Sequence, residues 1–164
     1  MQKVNLSPAA DMDSLHTRFL PCVTTAFEEI LDKMAFMVFE PTGASGLPHD
    51  HFSYTSRIAF TGSLSGSMTV YLTQATAEEF ARNLIGIRNG DELRRETLED
   101  ALREFSNILM GRTLSLLASD EHFDLQLPVA QQAAPAGAGA LQPSLRLEGM
   151  LNEEEPCRID VVLN

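Results

Sequence analysis

The sequence predicts an α+β domain, an antiparallel sheet with two long helices packed on one face. Three observations carry that expectation. Apolar residues recur at helical spacing in two stretches, roughly 15–37 and 97–117. Four shorter stretches, 54–60, 67–73, 145–151 and 157–163, read as strands rich in apolar residues. The links inside each strand pair, TGSLSG and the acidic NEEEP, have turn chemistry, so neighbours should pair antiparallel.

Residues 1–13 are polar and are expected to be loosely held. In the first helical stretch, Phe19, Val23, Ala26, Phe27, Ile30, Leu31 and Met34 supply the apolar side. Pro21 fits only near a helix start or at a kink, so the helix proper is expected to begin there. It ends before Pro41, and residues 42–50 form a turn-rich loop. Ile58 and Phe60 alternate in one strand, and Met68, Val70 and Leu72 in the next. Thr76 with Glu79 reads as a capping box that opens a short helix to about Leu84.

The second long helix, 97–117, organises the chain. Leu98, Leu102, Phe105, Leu109 and Leu116 form its apolar stripe, and Ala101 and Ile108 widen it. Thr97 with Asp100 reads as its N-terminal cap. His122 to Leu127 then alternates as a strand and meets Pro128. Residues 130–143, AQQAAPAGAGALQP, are low in complexity and are expected to be a flexible loop.

At 164 residues the chain is read as one domain, 1–164, long enough to bury a proper core. The formal charge of −11 argues against a nucleic-acid partner, because no basic patch is present to neutralise phosphates. No apolar run is long enough to span a bilayer, so no membrane partner is expected. The N-terminus lacks the basic-then-apolar order of a signal peptide, which points to the cytoplasm. Cys22 and Cys157 make neither a disulfide framework nor a zinc site, and two reduced thiols are expected. His49, Asp50 and His51 resemble metal ligands, but turn chemistry explains them and no other His or Cys has a matching spacing. No metal site is expected. GSLSG joins two strands instead of opening a helix, so it is no nucleotide loop. No Ser-His-Asp or Cys-His arrangement supports nucleophilic catalysis.

Asp100, Glu104 and Asn107 lie at i, i+4 and i+7 on the organising helix. At about 100° per residue they share one face, roughly opposite the apolar stripe. A polar outer face is ordinary for a helix. This one carries an asparagine, a poor helix former, in mid-helix one turn after an acid. Gly111 falls on the same face. A glycine there costs about 1 kcal/mol against alanine, and it lets a partner approach closely. The first helix carries an ungapped echo of this segment. AFEEILDKMAF (26–36) aligns with ALREFSNILMG (101–111), with Glu29 on Glu104 and Asp32 on Asn107. The echo suggests a duplicated half.

At Asp100, Glu104, Asn107 and Pro128 the chain resembles the CheC/CheX/FliY chemotaxis phosphatases. Their signature is Asp or Ser, three residues, Glu, two residues, Asn, a gap, then Pro. Here it reads D-ALR-E-FS-N followed by Pro128, with a gap slightly shorter than the family's usual one. KMAFMVFEP and the TGSLSG hairpin are similar to the CheX branch, and the likeness covers about residues 15 to 163. The resemblance implies a CheC-like pseudo-duplicated fold. It implies hydrolysis of the aspartyl phosphate on a CheY-like response regulator, with Glu104 ion-pairing the regulator's lysine and Asn107 holding water in line with phosphorus. Asp100, Gly111 and Pro128 would contact the partner, and Met110 and Leu114 would add apolar contact. The chain itself would bind no cofactor, and Mg2+ would sit on the regulator. A CheX-type protein would be a homodimer with one active helix per subunit, and Asp32 in place of asparagine would leave the first helix inert. Two other readings share these residues. One is a binding module that docks a receiver domain without hydrolysis, and the other is a structural domain whose polar helix face is only solvated.

Overall fold

A computed structural model describes residues 11–43, 51–118, 120–133 and 142–164. The His49–Asp50 pair, residues 1–10 and most of the 130–143 stretch lie outside the described residues.

Strand β2 (Tyr54–Gly62) and strand β3 (Gly66–Leu72) form the expected hairpin, with Ile58 opposite Met68. Strand β6 (Leu145–Leu151) and strand β7 (Glu155–Leu163) form the second, with Leu147 opposite Ile159. Its turn places Asn152 and Glu153 at φ of 51° and 64°, the left-handed values that a tight hairpin of this kind needs. The two hairpins join through β3 and β7, again antiparallel. Three short strands close the edges. Strand β1 (Phe39–Pro41) pairs with β6, and strand β4 (Phe123–Leu125) with strand β5 (Val129–Gln132) line the far side of β2. Among the described residues this gives a seven-stranded antiparallel sheet in the order β1-β6-β7-β3-β2-β4/β5.

That order is symmetric about the β7–β3 pair. Each half supplies a helix, a short edge strand and a hairpin. Each edge strand pairs with the other half's hairpin: β1 on β6, and β4/β5 on β2. The duplication suggested by the helix echo is therefore written into the strand pairing.

Helix α1 (Asp11–Ile30) runs on into a π-helical turn, Leu31–Ala35, which Phe36 closes in the left-handed region at φ 54°. The expected start at Pro21 is corrected: the helix begins ten residues earlier and Pro21 lies inside it, on the exposed side. One missing N–H is tolerated there because Phe19, Val23, Ala26 and Phe27 are all buried around it. Helix α2 (Gln74–Ile85) is capped by Thr73, whose hydroxyl accepts from the Thr76 amide at 3.2 Å. This corrects the Thr76–Glu79 box by three residues. Thr76 is buried in the first turn, and Gly86 ends the helix at φ 71°. Helix α3 (Arg95–Leu117) starts two residues before the expected 97, with Arg94 at the cap and no side-chain capping bond. Thr97 is thus inside the first turn, and neither it nor Asp100 caps the helix.

The helices pack on one face of the sheet. Phe105 of α3 is the joint, with its ring 4.4 Å from Phe80 of α2 and 5.9 Å from Phe27 of α1. The other face of the sheet is polar. Arg146 makes a two-pronged pair with Asp160 at 2.8 and 3.1 Å, and the Arg158 guanidinium stacks 4.0 Å from the Tyr71 ring. Cys157 of β7 is buried in the core, and burial pushes its thiol up to about 12. It stays protonated and unreactive through the neutral range, as the reading of two reduced thiols expects. No described helix is long and apolar enough to cross a membrane.

Candidate functional site

Helix α3 carries the candidate residues because its register is fixed from below. Leu98, Leu102, Phe105, Leu109 and Met110 are buried, so Asp100, Glu104 and Asn107 must point out, and all three are exposed. A buried hydroxyl pair locks the turn just before Asn107. Ser106 Oγ donates to Ser56 Oγ on β2 at 2.7 Å, and Ser56 Oγ donates to the Leu102 carbonyl at 3.0 Å. Those bonds tie the Leu102–Ser106 turn of α3 to β2, and they satisfy polar groups that would be costly to bury alone.

The opposite wall comes from the edge of the sheet. Phe60 faces Leu125 and Arg57 faces Val129, so residues 58–59 of β2 stand against residues 126–128 of the edge strand. One extra residue makes this a bulge. It explains how β4 and β5 are two strands on one partner. Proline at the bulge loses no ladder bond, and the chain is re-aimed towards α3. The Gln126 amide still donates to the Ala59 carbonyl at 2.9 Å, and Leu127 is pushed out to 92% exposure.

Between the two walls lies a groove of about 500 Å³. Asp100, Arg103, Glu104 and Asn107 line it from α3, and Leu125, Gln126, Leu127 and Pro128 from the bulged edge. The four residues spaced out in the sequence as Asp100, Glu104, Asn107 and Pro128 therefore meet in one place. The shortened gap before Pro128 does not prevent this.

Gly111 sits one turn further along. It lines an adjoining hollow with Ser115, His122 and Phe123, and Leu125 is common to both. A Cβ on Gly111 would meet Leu125 Cδ1 at 3.9 Å, an ordinary contact. Met110 and Leu114 do not reach the surface. They are 0% and 3% exposed, because they lie on the core side of α3, and the expected apolar contact from them is withdrawn. The exposed apolar surface here is Leu127 and Val129 instead.

Sequence reasoning missed Arg103, Gln126 and Leu127. Arg103 pairs with Asp100 one turn back. Its sign, in a groove with two carboxylates, was the available signal. The strand reading of 122–127 was too long, because Gln126 and Leu127 belong to the bulge, and Val129–Gln132 is a strand where a loop was expected.

The echoed pair on the first helix is arranged differently. Glu29 is clamped by Arg112 of α3 at 2.8 and 3.1 Å, and that bond holds its carboxyl below the usual range. Asp32 lies in the π-helical turn, where the i+3 register of an α-helix is lost. Among the residues described with their side chains, no group of three His, Cys, Asp or Glu side chains could hold a metal ion.

A family model, chemotaxis phosphatase CheX, matches residues 54–138. That span holds the hairpin, α3 and the bulge, just over half of the chain. This chain belongs to the CheX family. The solved structures agree on the fold. A CheX from Vibrio vulnificus is 20% identical, with 89% of this chain and 96% of that chain covered and a TM-score of 0.70. A CheX from Desulfovibrio desulfuricans is 18% identical, with coverage of 89% and 99% and a TM-score of 0.72. The CheX of a CheX–CheY–BeF3–Mg2+ complex from Borrelia burgdorferi is 16% identical, with coverage of 89% and 97% and a TM-score of 0.66. No curated protein matches the chain. The CheC-like, pseudo-duplicated α+β fold is thus the architecture of this chain.

Proposed function

We propose that this chain hydrolyses the aspartyl phosphate of a CheY-like response regulator, with Asn107 positioning the attacking water and Glu104 docking the regulator's lysine. The observation that carries the reading is the groove in which Glu104 and Asn107, one turn apart and exposed, face Pro128. The reading suits the chemistry of the side chains. A carboxamide accepts one hydrogen bond from water and donates another, and it brings no charge towards the phosphoryl oxygens. A water held in line forms the new bond to phosphorus as the acyl-phosphate P–O bond breaks. The bonding pair leaves on the regulator's aspartate carboxylate, and the water's proton leaves with inorganic phosphate. Orientation supplies the rate, and the regulator's own Mg2+ and lysine balance the charge. This chain holds no cofactor in the scheme. The Borrelia complex, in which a CheX is bound to CheY with BeF3 and Mg2+, supports the choice of partner.

The first test is decay of phosphorylated receiver domains with and without this protein. Faster decay with release of inorganic phosphate is the expected result. Binding without any acceleration on every receiver tried would favour a docking module, a reading supported by the exposed Leu127 and Val129 beside the groove.

Two further expectations belong to this reading. Gly111→Ala should raise stability by up to about 1 kcal/mol, since the helix gains and the new methyl meets only Leu125 at 3.9 Å. Its hydrolysis should fall, because the methyl stands on the docking face. A melting curve with a decay assay checks both, and an unchanged rate removes Gly111 from that face. The protein should also be a homodimer through the β1 edge of the sheet. Phe36 and Val38 flank that edge at 78% and 63% exposure, and a second copy would cover them. Light scattering that gives a monomer across the working concentration range would refute this.

A further inference from the structure

The groove carries two carboxylates, Asp100 and Glu104, towards a substrate that is itself a phosphoryl anion. Arg103 is the one cation among its lining residues. It stands four residues before Asn107, so the two side chains are neighbours on the same side of α3. Its guanidinium is engaged by Asp100, but in a setting that holds it weakly. The side chains are 37% and 71% exposed, and surface pairs of this kind contribute little. A guanidinium leaves such a partner readily for phosphoryl oxygens, which match its fork and carry more charge. We infer that Arg103 is a further catalytic residue: when the regulator docks, it swings from Asp100 to the phosphoryl oxygens beside the water held by Asn107. The inference rests on the groove being the regulator site. Asp100 then acts as a parking place that keeps the arginine extended along the groove before the partner arrives. As the bond to the aspartate breaks, the bonding pair leaves with the carboxylate and negative charge is spread over the three equatorial phosphoryl oxygens, where a cation placed against them stabilises the transition state.

The alternative role for Arg103 is to neutralise Asp100 within the helix. The two roles part in a double-variant experiment. Decay of a phosphorylated CheY receiver is followed with wild type, Arg103→Ala, Arg103→Lys, Asp100→Asn and the Asp100→Asn, Arg103→Ala pair. Arg103→Ala is expected to slow decay by on the order of tenfold to a hundredfold, the range for a lost hydrogen bond to a charged group. Arg103→Lys should recover part of the rate, since it keeps the charge and loses the fork. The factor lost with Arg103→Ala should be as large in the Asp100→Asn background as in the native one. If it vanishes in that background, Arg103 only balances Asp100 and the inference is overturned. A second arm measures affinity for the same receiver with and without beryllium fluoride. Arg103→Ala should erase the preference for the loaded receiver and leave affinity for the unloaded one in place. Equal loss on both would assign Arg103 to a rim contact and overturn the inference. This arm does not need turnover, so it decides on Arg103 even if the wild type hydrolyses no receiver. Failure of the groove itself shows separately, as Asn107→Ala at the wild-type rate.

Discussion

Asn107→Ala is expected to slow decay of the phosphorylated regulator by on the order of a hundredfold, the scale set by loss of alignment of a reacting group. The fold should persist. Asn107 is exposed on α3, and the neighbouring turn is held by the Ser106–Ser56 pair, not by the amide. A surface change of this kind moves stability by under about 0.5 kcal/mol. Regulator docking should persist as well, because Glu104 and the Leu127–Pro128 wall remain. Glu104→Ala separates docking from chemistry. It removes a charge partner at an interface, so both affinity and rate should fall. Asn107→Asp keeps the size and adds a charge beside the phosphoryl oxygens, so its activity should stay low. The measurement is decay of phosphorylated receiver with each variant, beside circular dichroism for the fold. A wild-type rate for Asn107→Ala would remove α3 as the active helix. The paired change on the first helix, Asp32→Ala, should leave the rate where it was, since Glu29 there is tied to Arg112 and the helical register is broken at Leu31.

The parts of this fold that could be read from the sequence are those with a repeated pattern on one buried face. In β2, β3, β6 and β7, strands of seven or nine residues, apolar residue types recur at alternate positions, as with Met68, Val70 and Leu72 or Cys157, Ile159 and Val161, and both long helices carry an apolar stripe. The edge strands carry no such pattern. β1 buries Phe39 alone, and β5 buries Ala130 alone, so neither offers a period to detect. β5 also lies in an alanine- and glutamine-rich stretch that has no strand chemistry, and pairing with β2 overrides that local preference. Pro21 misled for the converse reason. Burial of the α1 stripe outweighs one lost hydrogen bond, a tertiary effect that local rules do not contain. The caps of α2 and α3 were each misplaced by three residues, Thr76 for Thr73 and Thr97 for Arg94, the ordinary uncertainty of a helix end read from sequence. The site face of α3 was legible because three polar residues at helical spacing need no tertiary information. Its far wall was not, since the bulge that carries Leu127 and Pro128 to the groove exists only once the edge pairs with β2. Arg103 was legible as a charge, but its place in the groove required that wall.

Phe105→Ala should be the most damaging single change to stability. Its ring lies between Phe80 and Phe27, at 4.4 and 5.9 Å, and it is 1% exposed. One side chain therefore joins all three helices, and truncation leaves a cavity that none of the three can close without moving the others. Such a change costs about 3–5 kcal/mol. For a domain of this size each kcal/mol lowers the melting temperature by roughly 2–4 °C, so a fall of about 6–20 °C is expected in a thermal scan. Phe105→Leu keeps most of the volume and should lose much less. The same scan run beside the decay assay links packing to function. Phe105 sits two residues before Asn107, and the α3 register it helps to fix aims the amide into the groove. Phe105→Leu, still folded at the assay temperature, should keep regulator affinity but lose rate, since docking tolerates a small tilt of α3 and water alignment does not. A loss of under about 1 kcal/mol for Phe105→Ala would show that the core closes around the gap, contrary to the close packing of α1, α2 and α3.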